Sequence, residues 1–257
     1  MTSKNTIQLS QIPLSNILDQ FPSQTILGLG DLILDVYHRG RAIGLSPEAP
    51  AIDLLNPTAY ESPGGAANVA WNIGHLGGRV KLLGVVGNDH EAASLTHLLS
   101  TSPGVQLEFI EDSTRPTVLK ARYYHEQYQL LRVTHESRTP LSSTITDRCI
   151  DTLIREAKHA SALFIEDYGK GIVTGDLIDA LIHIRNVLPD VPLLFDPKIG
   201  NHLIYKPRMC SLLKPNWLEA SRLLGFDTEQ SDFHALARAL SEKFESAVLI
   251  TLGSHGS

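Results

Sequence analysis

The chain has 257 residues, of which 42% are apolar, and a formal net charge of −6. That length and apolar content are enough for one α/β domain with a large core, and the acidic balance argues against general binding to nucleic acid or to acidic membranes. No apolar run has the length needed to cross a bilayer, and the first 21 residues lack the apolar core of a signal peptide. The two cysteines, Cys149 and Cys210, make neither a disulfide framework nor a metal set, so we expect a soluble cytoplasmic protein.

Short apolar runs alternate with helical patterns along the chain. Apolar strands separated by amphipathic helices predict a mainly parallel sheet with helices on both faces. The expected elements are, in chain order, strand Thr25–Gly30, helix Ala66–Leu76, strand Val80–Val86, helix His90–Leu99, helix Ser142–His159, strand Ala162–Glu166, helix Thr174–Val187, strand Pro192–Phe195, strand Ser211–Lys214, helix Trp217–Leu223, helix Asp232–Phe244 and strand Ala247–Leu252.

Two further segments have a strand-like composition without intervening helices, Ala49–Leu55 and Gln106–Val133. In the second of them, polar and apolar residues alternate through the run TVLKARYYHEQYQLLRV. Such alternation is typical of a sheet with one exposed face. We therefore expect a small second sheet apart from the main one.

A pair of glycines, Gly64 and Gly65, stands directly before the first long helical pattern. Glycine at a helix start lets the backbone approach a ligand closely, and the free N–H groups there favour polar or anionic groups. Asn68 lies in the first turn of that helix, off its apolar face, where its amide can hydrogen-bond a ligand hydroxyl. On its own the glycine pair is equally compatible with a simple tight turn.

The full spacing, which adds Ala70, Gly77 and Gly87 to these residues, resembles the first signature of the PfkB/ribokinase family of carbohydrate kinases. The resemblance implies a ribokinase-like, three-layer α/β/α fold with a mainly parallel central sheet. It also implies a small β lid over the sugar, formed from about residues 36–62 and 104–134, within a single kinase domain spanning 1–257.

Two other glycine-rich segments fail the tests for known phosphate-binding loops. In GLGDLILD, from Gly28 to Asp35, Ile33 occupies the place of the third glycine of a dinucleotide fingerprint. In DYGKG, Lys170 is followed by glycine rather than Ser or Thr, and the spacing of a Walker A loop is absent.

Asp31 and Asp35 follow the first strand, at the edge where open α/β sheets place their ligands. A turn or cap carboxylate is the simpler interpretation for Asp31. For Asp35, the family resemblance implies hydrogen bonds from sugar hydroxyls, together with Gly64, Gly65 and Asn68.

The segment Ser46–Pro50, SPEAP, resembles a motif of the heptose-7-phosphate kinases, the kinase half of the bifunctional HldE/RfaE proteins of ADP-heptose synthesis. Those kinases carry an arginine two residues before the serine, where this chain has Gly44. Whether the nearby Arg39 or Arg41 replaces that cation is left open by the sequence.

Three cations, Lys120, Arg122 and Arg132, share one face of the alternating segment if the strand pattern stays in register. Taken alone they would form a solvated face. The resemblance implies instead that Lys120 and Arg122 reach the phosphate of the sugar, where arginine can bind two oxygens at once.

Charged residues also follow two later strands of the predicted sheet. Asp167 opens DYGKG after the strand Ala162–Glu166, and Asp196 and Lys198 belong to a DPK sequence after the next strand. Both sequences match the heptose kinases, so we expect Asp167 to bind substrate and Asp196 and Lys198 to be further candidates at the same sheet edge.

Two C-terminal motifs resemble the nucleotide site of the family. They are the KPNWLE run with Lys214, Asn216 and Glu219, and the TLGSHG run with Thr251, Gly253 and Gly256. The resemblance implies that these residues bind Mg–ATP, with Glu219 acting through water. A helix cap with a carboxylate three residues later, and a plain turn, are the structural alternatives. The spacing of the histidines predicts no metal held directly by the protein.

The family also has a second signature, GAGD, whose aspartate is the general base and whose glycine amides stabilise the transferring phosphoryl group. This sequence contains no GAGD and stops at Ser257. We therefore expect a kinase domain truncated at its C-terminus, with no catalytic base of its own and with apolar sheet surface left exposed.

The expected function is ATP-dependent phosphorylation of a sugar phosphate, D-glycero-D-manno-heptose 7-phosphate, at its anomeric hydroxyl. A kinase of another sugar in the family, and an inactive sugar-phosphate-binding protein, are the alternatives. The expected cofactors are ATP and Mg²⁺, and the expected partners are the sugar phosphate, ATP and a second copy bound through the lid, with no nucleic acid and no membrane.

Overall fold

A computed structural model describes residues 13–226 and 232–257 of the chain. Its centre is a sheet of seven parallel strands, covered by helices. The strands of this sheet are β1 Thr25–Gly30, β4 Arg79–Val86, β5 Val105–Glu111, β8 Ala162–Glu166, β9 Leu193–Asp196, β10 Leu212–Leu213 and β11 Ala247–Val248, in the spatial order β11-β10-β9-β8-β1-β4-β5. The helices are α1 Leu14–Leu18, α2 Ala66–His75, α3 His90–Ser100, α4 Ser143–Ala157, α5 Gly175–Val187, α6 Trp217–Leu223 and α7 Phe233–Phe244.

Side chains of the central strands alternate between two apolar cores, one on each face of the sheet. Leu27 and Leu29 of β1 point into a core shared with helices α4 to α7, whereas Ile26 packs in a second core with α2 and α3. Burial on both faces explains why these strands are apolar throughout. The predicted α/β class and three-layer arrangement are confirmed.

The helical layer formed by α2 and α3 leaves part of its sheet face open. A groove of about 530 Å³ runs there from Phe21 to Lys214, with a mainly apolar lining. Leu194 of β9 is 36% exposed on this face. An exposed apolar sheet surface was expected, and this groove is where it lies.

Four long strands form a second sheet, here called the lid. They are β2 Leu32–Leu45, β3 Ile52–Gly65, β6 Val118–His125 and β7 Tyr128–His135, in the order β3-β2-β6-β7. One residue, Asp31, separates β1 of the main sheet from β2 of the lid. The lid is therefore a direct extension of the strand at the centre of the fold.

One strand that the sequence analysis predicted for the lid, β5, belongs to the main sheet. Residues 104–134 were expected to contribute lid strands, but β5 pairs in parallel with β4 at the edge of the large sheet. The reason is that α3 connects the two strands as a crossover helix, which brings the following strand back parallel to the first. Lid strands from this region begin only at Val118.

The other predicted elements are found, with small differences at their ends. The last two strands are shorter than expected, because pairing in β10 and β11 covers two residues each, and Thr251 joins the fold by an isolated bridge to Asn216. The short helix α1 was not predicted.

Within the two described ranges, no helix combines the length and apolarity that crossing a bilayer requires. Residues 1–12, part of the segment judged not to be a signal peptide, lie outside the described residues.

Candidate active site

The two glycines before α2 bring the helix start against the base of the lid. Gly65 has φ +59°, and a Cβ placed on it would lie 2.3 Å from the carbonyl oxygen of Asp31. A Cβ on Gly64 would lie 2.3 Å from Oδ2 of Asp35. The positive φ and the close backbone oxygen require glycine at position 65, and the Asp35 carboxylate lies directly against the backbone of Gly64.

Asn68 is exposed in the first turn of α2, as the sequence indicated. Its side-chain oxygen accepts a hydrogen bond from Asn72 Nδ2 at 3.2 Å, and both its own amide donors are directed to no described protein partner. Asn68 also lines the open groove, next to Gly65. The amide is therefore available to a ligand beside Gly65.

The carboxylate of Asp35 is paired with a lid arginine. Arg122 Nη1 donates to Asp35 Oδ1 at 2.7 Å, with side chains 20% and 17% exposed. In the lid, Asp35 is the register partner of Lys120 on β6 and of Ser62 on β3. Asp35 thus meets two other predicted sugar-site residues. Its Oδ2 lies against Gly64, and its Oδ1 is paired with Arg122.

The three predicted lid cations share one face of the lid. Arg122 stands directly opposite Arg132 of β7, and Lys120 lies two residues away on the same face. Like charges in a directly opposed pair destabilise a sheet. Burial lowers the pKa of Lys120, and the neighbouring cations add to this, against the opposing effect of Asp35. The face therefore concentrates positive charge that an anion would relieve.

The lid face also meets the main body through Lys120. Its Nζ lies 5.1 Å from the ring centroid of Tyr168, a cation–π distance. Tyr168 belongs to the loop Asp167–Gly171, here called the edge loop, which follows β8 at the C-terminal edge of the main sheet. The cation face of the lid and the edge loop thus bound the same cleft.

The position of Gly44 lies far from this cation face. Gly44 pairs with Asp53 near the distal end of β2, which places it roughly 30 Å along the strand from Asp35 at ~3.3 Å per residue. Arg39 lies 5.3 Å from the Tyr124 ring centroid and donates to the carbonyl of Glu126 at 3.3 Å. The missing arginine therefore concerns the lid tip rather than the face that holds Asp35.

Asp31 serves as a cap for the edge loop. Its Oδ2 accepts hydrogen bonds from the backbone amides of Tyr168 at 2.7 Å and Lys170 at 3.1 Å. Burial, with a contribution from the nearby Asp167, raises the pKa of Asp31 to about 6. The simpler interpretation of this aspartate, a capping carboxylate, agrees with its contacts.

Asp167 is engaged by the protein itself. Its carboxylate accepts hydrogen bonds from Gly169 N at 2.7 Å, from Asn201 Nδ2 at 3.0 and 2.9 Å, and from the Tyr205 hydroxyl at 2.6 Å. The residue is only 3% exposed, and burial raises its pKa. This geometry assigns Asp167 to the internal support of the edge loop, and the predicted contact with substrate would require these bonds to be exchanged.

Four of the predicted nucleotide residues, Lys214, Asn216, Glu219 and Thr251, line a cavity of about 260 Å³ next to the edge loop. Lys214 Nζ lies 2.5 Å from Asp196 Oδ2 in an ion pair at one side of it. Lys198 follows Asp196 and has no acidic partner within salt-bridge distance among the described residues. Thr251 completes the lining. The two later strand ends and the C-terminal bridge are therefore brought to one place, as predicted.

Asn216 and Glu219 form a reciprocal cap at the start of α6. Glu219 N donates to Asn216 Oδ1 at 2.9 Å, and Asn216 N donates to Glu219 Oε2 at 3.0 Å. Burial raises the pKa of Glu219. The helix cap, which was the structural alternative for these two residues, is therefore present. Glu219 also lines the cavity, and its Oε1 accepts no hydrogen bond from a described residue. Gly253 and Gly256 lie in an exposed turn with positive φ, and their contact with nucleotide remains a prediction.

One buried carboxyl at this edge was missed. Glu166, the last residue of β8, is the register partner of Asp196 and is 7% exposed. Burial, then the charge of Asp196, raises the pKa of Glu166 to about 8. The available signal was a glutamate ending an otherwise apolar strand just before the edge loop. Within 13–226 and 232–257, His, Cys, Asp and Glu form no group of three placed to hold a metal ion.

Comparisons with known proteins agree with this architecture. Among curated proteins, the bifunctional protein HldE of Hyphomonas neptunium is 33% identical over 95% of this chain, and that of Vibrio vulnificus is 35% identical over 93%. The chain spans about half the length of these relatives, 50% and 49%.

Solved structures share the fold at low sequence identity. Escherichia coli phosphofructokinase-2 in complex with substrates and products has a TM-score of 0.66 at 19% identity, covering 89% of this chain and 73% of its own. Arabidopsis thaliana ribokinase with ribose and ATP has a TM-score of 0.64 at 17% identity, covering 90% and 72%. The family model for pfkB family carbohydrate kinases matches residues 26–257. This chain therefore belongs to the pfkB family of carbohydrate kinases, phosphotransferases that act on sugar hydroxyls.

Proposed function

We propose that this chain carries the sugar and nucleotide sites of an ATP-dependent kinase for a sugar phosphate, D-glycero-D-manno-heptose 7-phosphate, phosphorylated at its anomeric hydroxyl. The observation that carries the proposal is the cation face of the lid, where Arg122 stands opposite Arg132 and beside Lys120. An unmodified sugar has no charge to match three cations, whereas a phosphate ester does. The HldE relatives support the choice of heptose.

Each sugar contact in the proposal follows from a position described above. Asp35 accepts hydrogen bonds from sugar hydroxyls, and Gly64 and Gly65 let the ring approach the backbone at the start of α2. Lys120 and Arg122 bind the phosphate, and Arg132, opposite Arg122, supplies the third cation of that site. Arg122 holds the Asp35 carboxylate in place through their 2.7 Å ion pair.

The second cavity fits the phosphates of a nucleotide and a cation bound through water. Lys198 and Lys214 supply positive charge, and Glu219 presents a carboxylate oxygen beside them. When bound, Mg–ATP supplies the phosphoryl group and neutralises its charge. Lys214 and Lys198 orient the phosphates, and the Asn216–Glu219 cap holds that carboxylate at the cavity wall. The general base is assigned by resemblance to a GAGD sequence, which these 257 residues do not contain.

The test combines calorimetric binding of D-glycero-D-manno-heptose 7-phosphate with an assay of ATP turnover on the same protein. For residues 1–257 we expect binding without turnover, because they include the proposed sugar contacts and not the GAGD sequence to which the base is assigned. Turnover with heptose 7-phosphate would support the kinase function and contradict the assignment of the base. Binding of another sugar in its place would favour a different substrate in the family. Absence of all binding would refute the proposed substrate class.

We further propose a homodimer through the lid. The support is a set of apolar side chains that stay exposed on three of the lid strands, β2, β3 and β7, including Leu45 at 71%, Tyr60 at 66% and Leu131 at 55%. Sedimentation equilibrium should give the mass of a dimer, and Leu131→Glu should reduce it to that of a monomer. Leu203→Glu, at an 86% exposed leucine outside the lid, is the matched control and should leave the mass unchanged.

A further inference from the structure

Three of the four lid strands are attached to one residue of the edge loop, Lys170. Its backbone amide donates to Asp31, the residue before β2, at 3.1 Å. Its carbonyl accepts from Arg115 Nη1, three residues before β6, at 2.9 Å. Its ammonium lies 2.6 Å from Glu136 Oε2, the residue directly after β7. The amide, the carbonyl and the side chain of Lys170 therefore each contact the end of a different lid strand, here called its root.

These attachments are shielded from water. The side chains of Lys170 and Glu136 are 12% and 9% exposed, and that of Arg115 is 11% exposed. Burial alone would raise the pKa of Glu136, but Lys170 and Arg138 lower it below its usual range. An ion pair with so little solvent around it is screened weakly by salt and resists opening. These three contacts of Lys170 with Asp31, Arg115 and Glu136 are here called the joint. The joint is therefore stiffer than an exposed surface ion pair would be.

The edge loop that Lys170 anchors borders both ligand sites. Tyr168, two residues earlier, lies under Lys120 of the cation face and also lines the nucleotide cavity. Gly171, the next residue, is packed so closely on the segment after β7 that a Cβ there would lie 2.3 Å from the carbonyl of Thr139. A rotation of the lid about its roots must therefore move the edge loop, and with it the wall of the nucleotide cavity.

We propose that Lys170 is a positioning residue that couples the lid to the edge loop, so that a sugar phosphate held by the lid cations orders the wall of the nucleotide cavity. The inference rests on the proposed function for the identity of the ligand. The joint itself rests on the contacts of Lys170 alone. Lys170 touches neither ligand in this account and acts through Asp31, Arg115 and Glu136.

The first test needs no ligand. Amide hydrogen exchange is compared between the wild type, Lys170→Met and Lys206→Met, the last removing an exposed ion pair whose partner, Asp179, lies on α5 rather than in the lid. Lys170→Met removes only the side-chain contact with Glu136, so it should accelerate exchange in the edge loop and at the root of β7, and leave β4 unchanged. Acceleration confined to the edge loop, or spread over the whole sheet, would overturn the joint. Lys206→Met should alter none of these segments.

The second test measures coupling to the sugar site by calorimetry with D-glycero-D-manno-heptose 7-phosphate. Lys170→Met should raise the dissociation constant by about 5- to 150-fold, the usual range for coupling between sites. Lys170→Arg keeps the cation, so it should bind the sugar phosphate more tightly than Lys170→Met. Unchanged affinity in Lys170→Met would overturn the coupling. If the wild type itself fails to bind the sugar phosphate, the proposed function fails, and the exchange experiment still decides the joint.

Discussion

Replacement of Arg132 by methionine should separate ligand binding from stability, because the two effects have opposite signs. In the protein without ligand, Arg132 faces Arg122 directly across β6 and β7. Arg132 has no acidic partner within salt-bridge distance in the described part of the chain, whereas Arg122 is paired with Asp35. The variant therefore removes a repulsion from the free lid and one cation from the proposed phosphate site.

The size of both effects follows from the position of Arg132. Removing a like-charge cross-strand pair should stabilise the lid by about 0.2–1 kcal/mol, toward the lower value because Arg132 is exposed and screened. A hydrogen bond to a charged group contributes about 1.5–3 kcal/mol, again toward the lower value at an exposed site. A loss of about 1.4 kcal/mol corresponds to a tenfold weaker complex.

The assay is thermal unfolding and calorimetric titration with heptose 7-phosphate on the same preparations. Arg132→Met should unfold at the same temperature as the wild type or slightly above it, while binding about tenfold more weakly. Arg238→Met, at an exposed position of α7, is the control and should change neither quantity. Undiminished affinity in Arg132→Met would refute the inference that the cation face binds the phosphate.

Three further predictions concern single residues. Gly64→Ala places a methyl group 2.3 Å from the Asp35 carboxylate, so calorimetry should show at least about tenfold weaker sugar binding, and normal affinity would contradict the contact. Tyr205→Phe removes a 2.6 Å hydrogen bond from the buried Asp167 and should lower the free energy of unfolding in urea by about 1–3 kcal/mol. Burial raises the pKa of Glu166 from 4.5 to about 8. The folded state therefore holds a proton that the unfolded state releases, and the free energy of unfolding should fall as pH rises through that window. Glu166→Gln should reduce that fall, and an equal slope in both proteins between pH 5 and 8 would exclude this assignment.

Much of the main sheet could be predicted from local patterns. The strands β1 and β8 and the helix α6 occur at the predicted residues, because their apolar runs and caps are complete within the segments themselves. The assignment of β5 required a different kind of information. Its composition fits either sheet, and only its connection through α3 decides that it pairs with β4.

In the candidate site, too, some residues could be predicted from a sequence motif and others depend on tertiary contacts. Gly64, Gly65 and Asp35 could be singled out from the sequence because a motif carries them, and the structure adds the reason, which is the 2.3 Å clearance at each glycine. Glu166 and the role of Lys170 depend on tertiary contacts. The pKa of Glu166 is raised by its burial in the folded chain and then by Asp196, which β9 places beside it.

The contacts of Asp167 could not be derived from its motif either. Its side-chain donors, Asn201 and Tyr205, come from a segment more than thirty residues away in sequence. A motif match therefore predicts that such a residue lies at the sheet edge. It does not tell whether the side chain faces a ligand or supports the loop that does.

The measurement that tests the central claim most directly is a calorimetric comparison of D-glycero-D-manno-heptose 7-phosphate with the same heptose lacking the phosphate. The cation face of Lys120, Arg122 and Arg132 predicts that the phosphate ester binds at least about tenfold more tightly, and that this difference shrinks as salt is added. Equal affinity for the two sugars, or a preference for the uncharged one, would contradict the account.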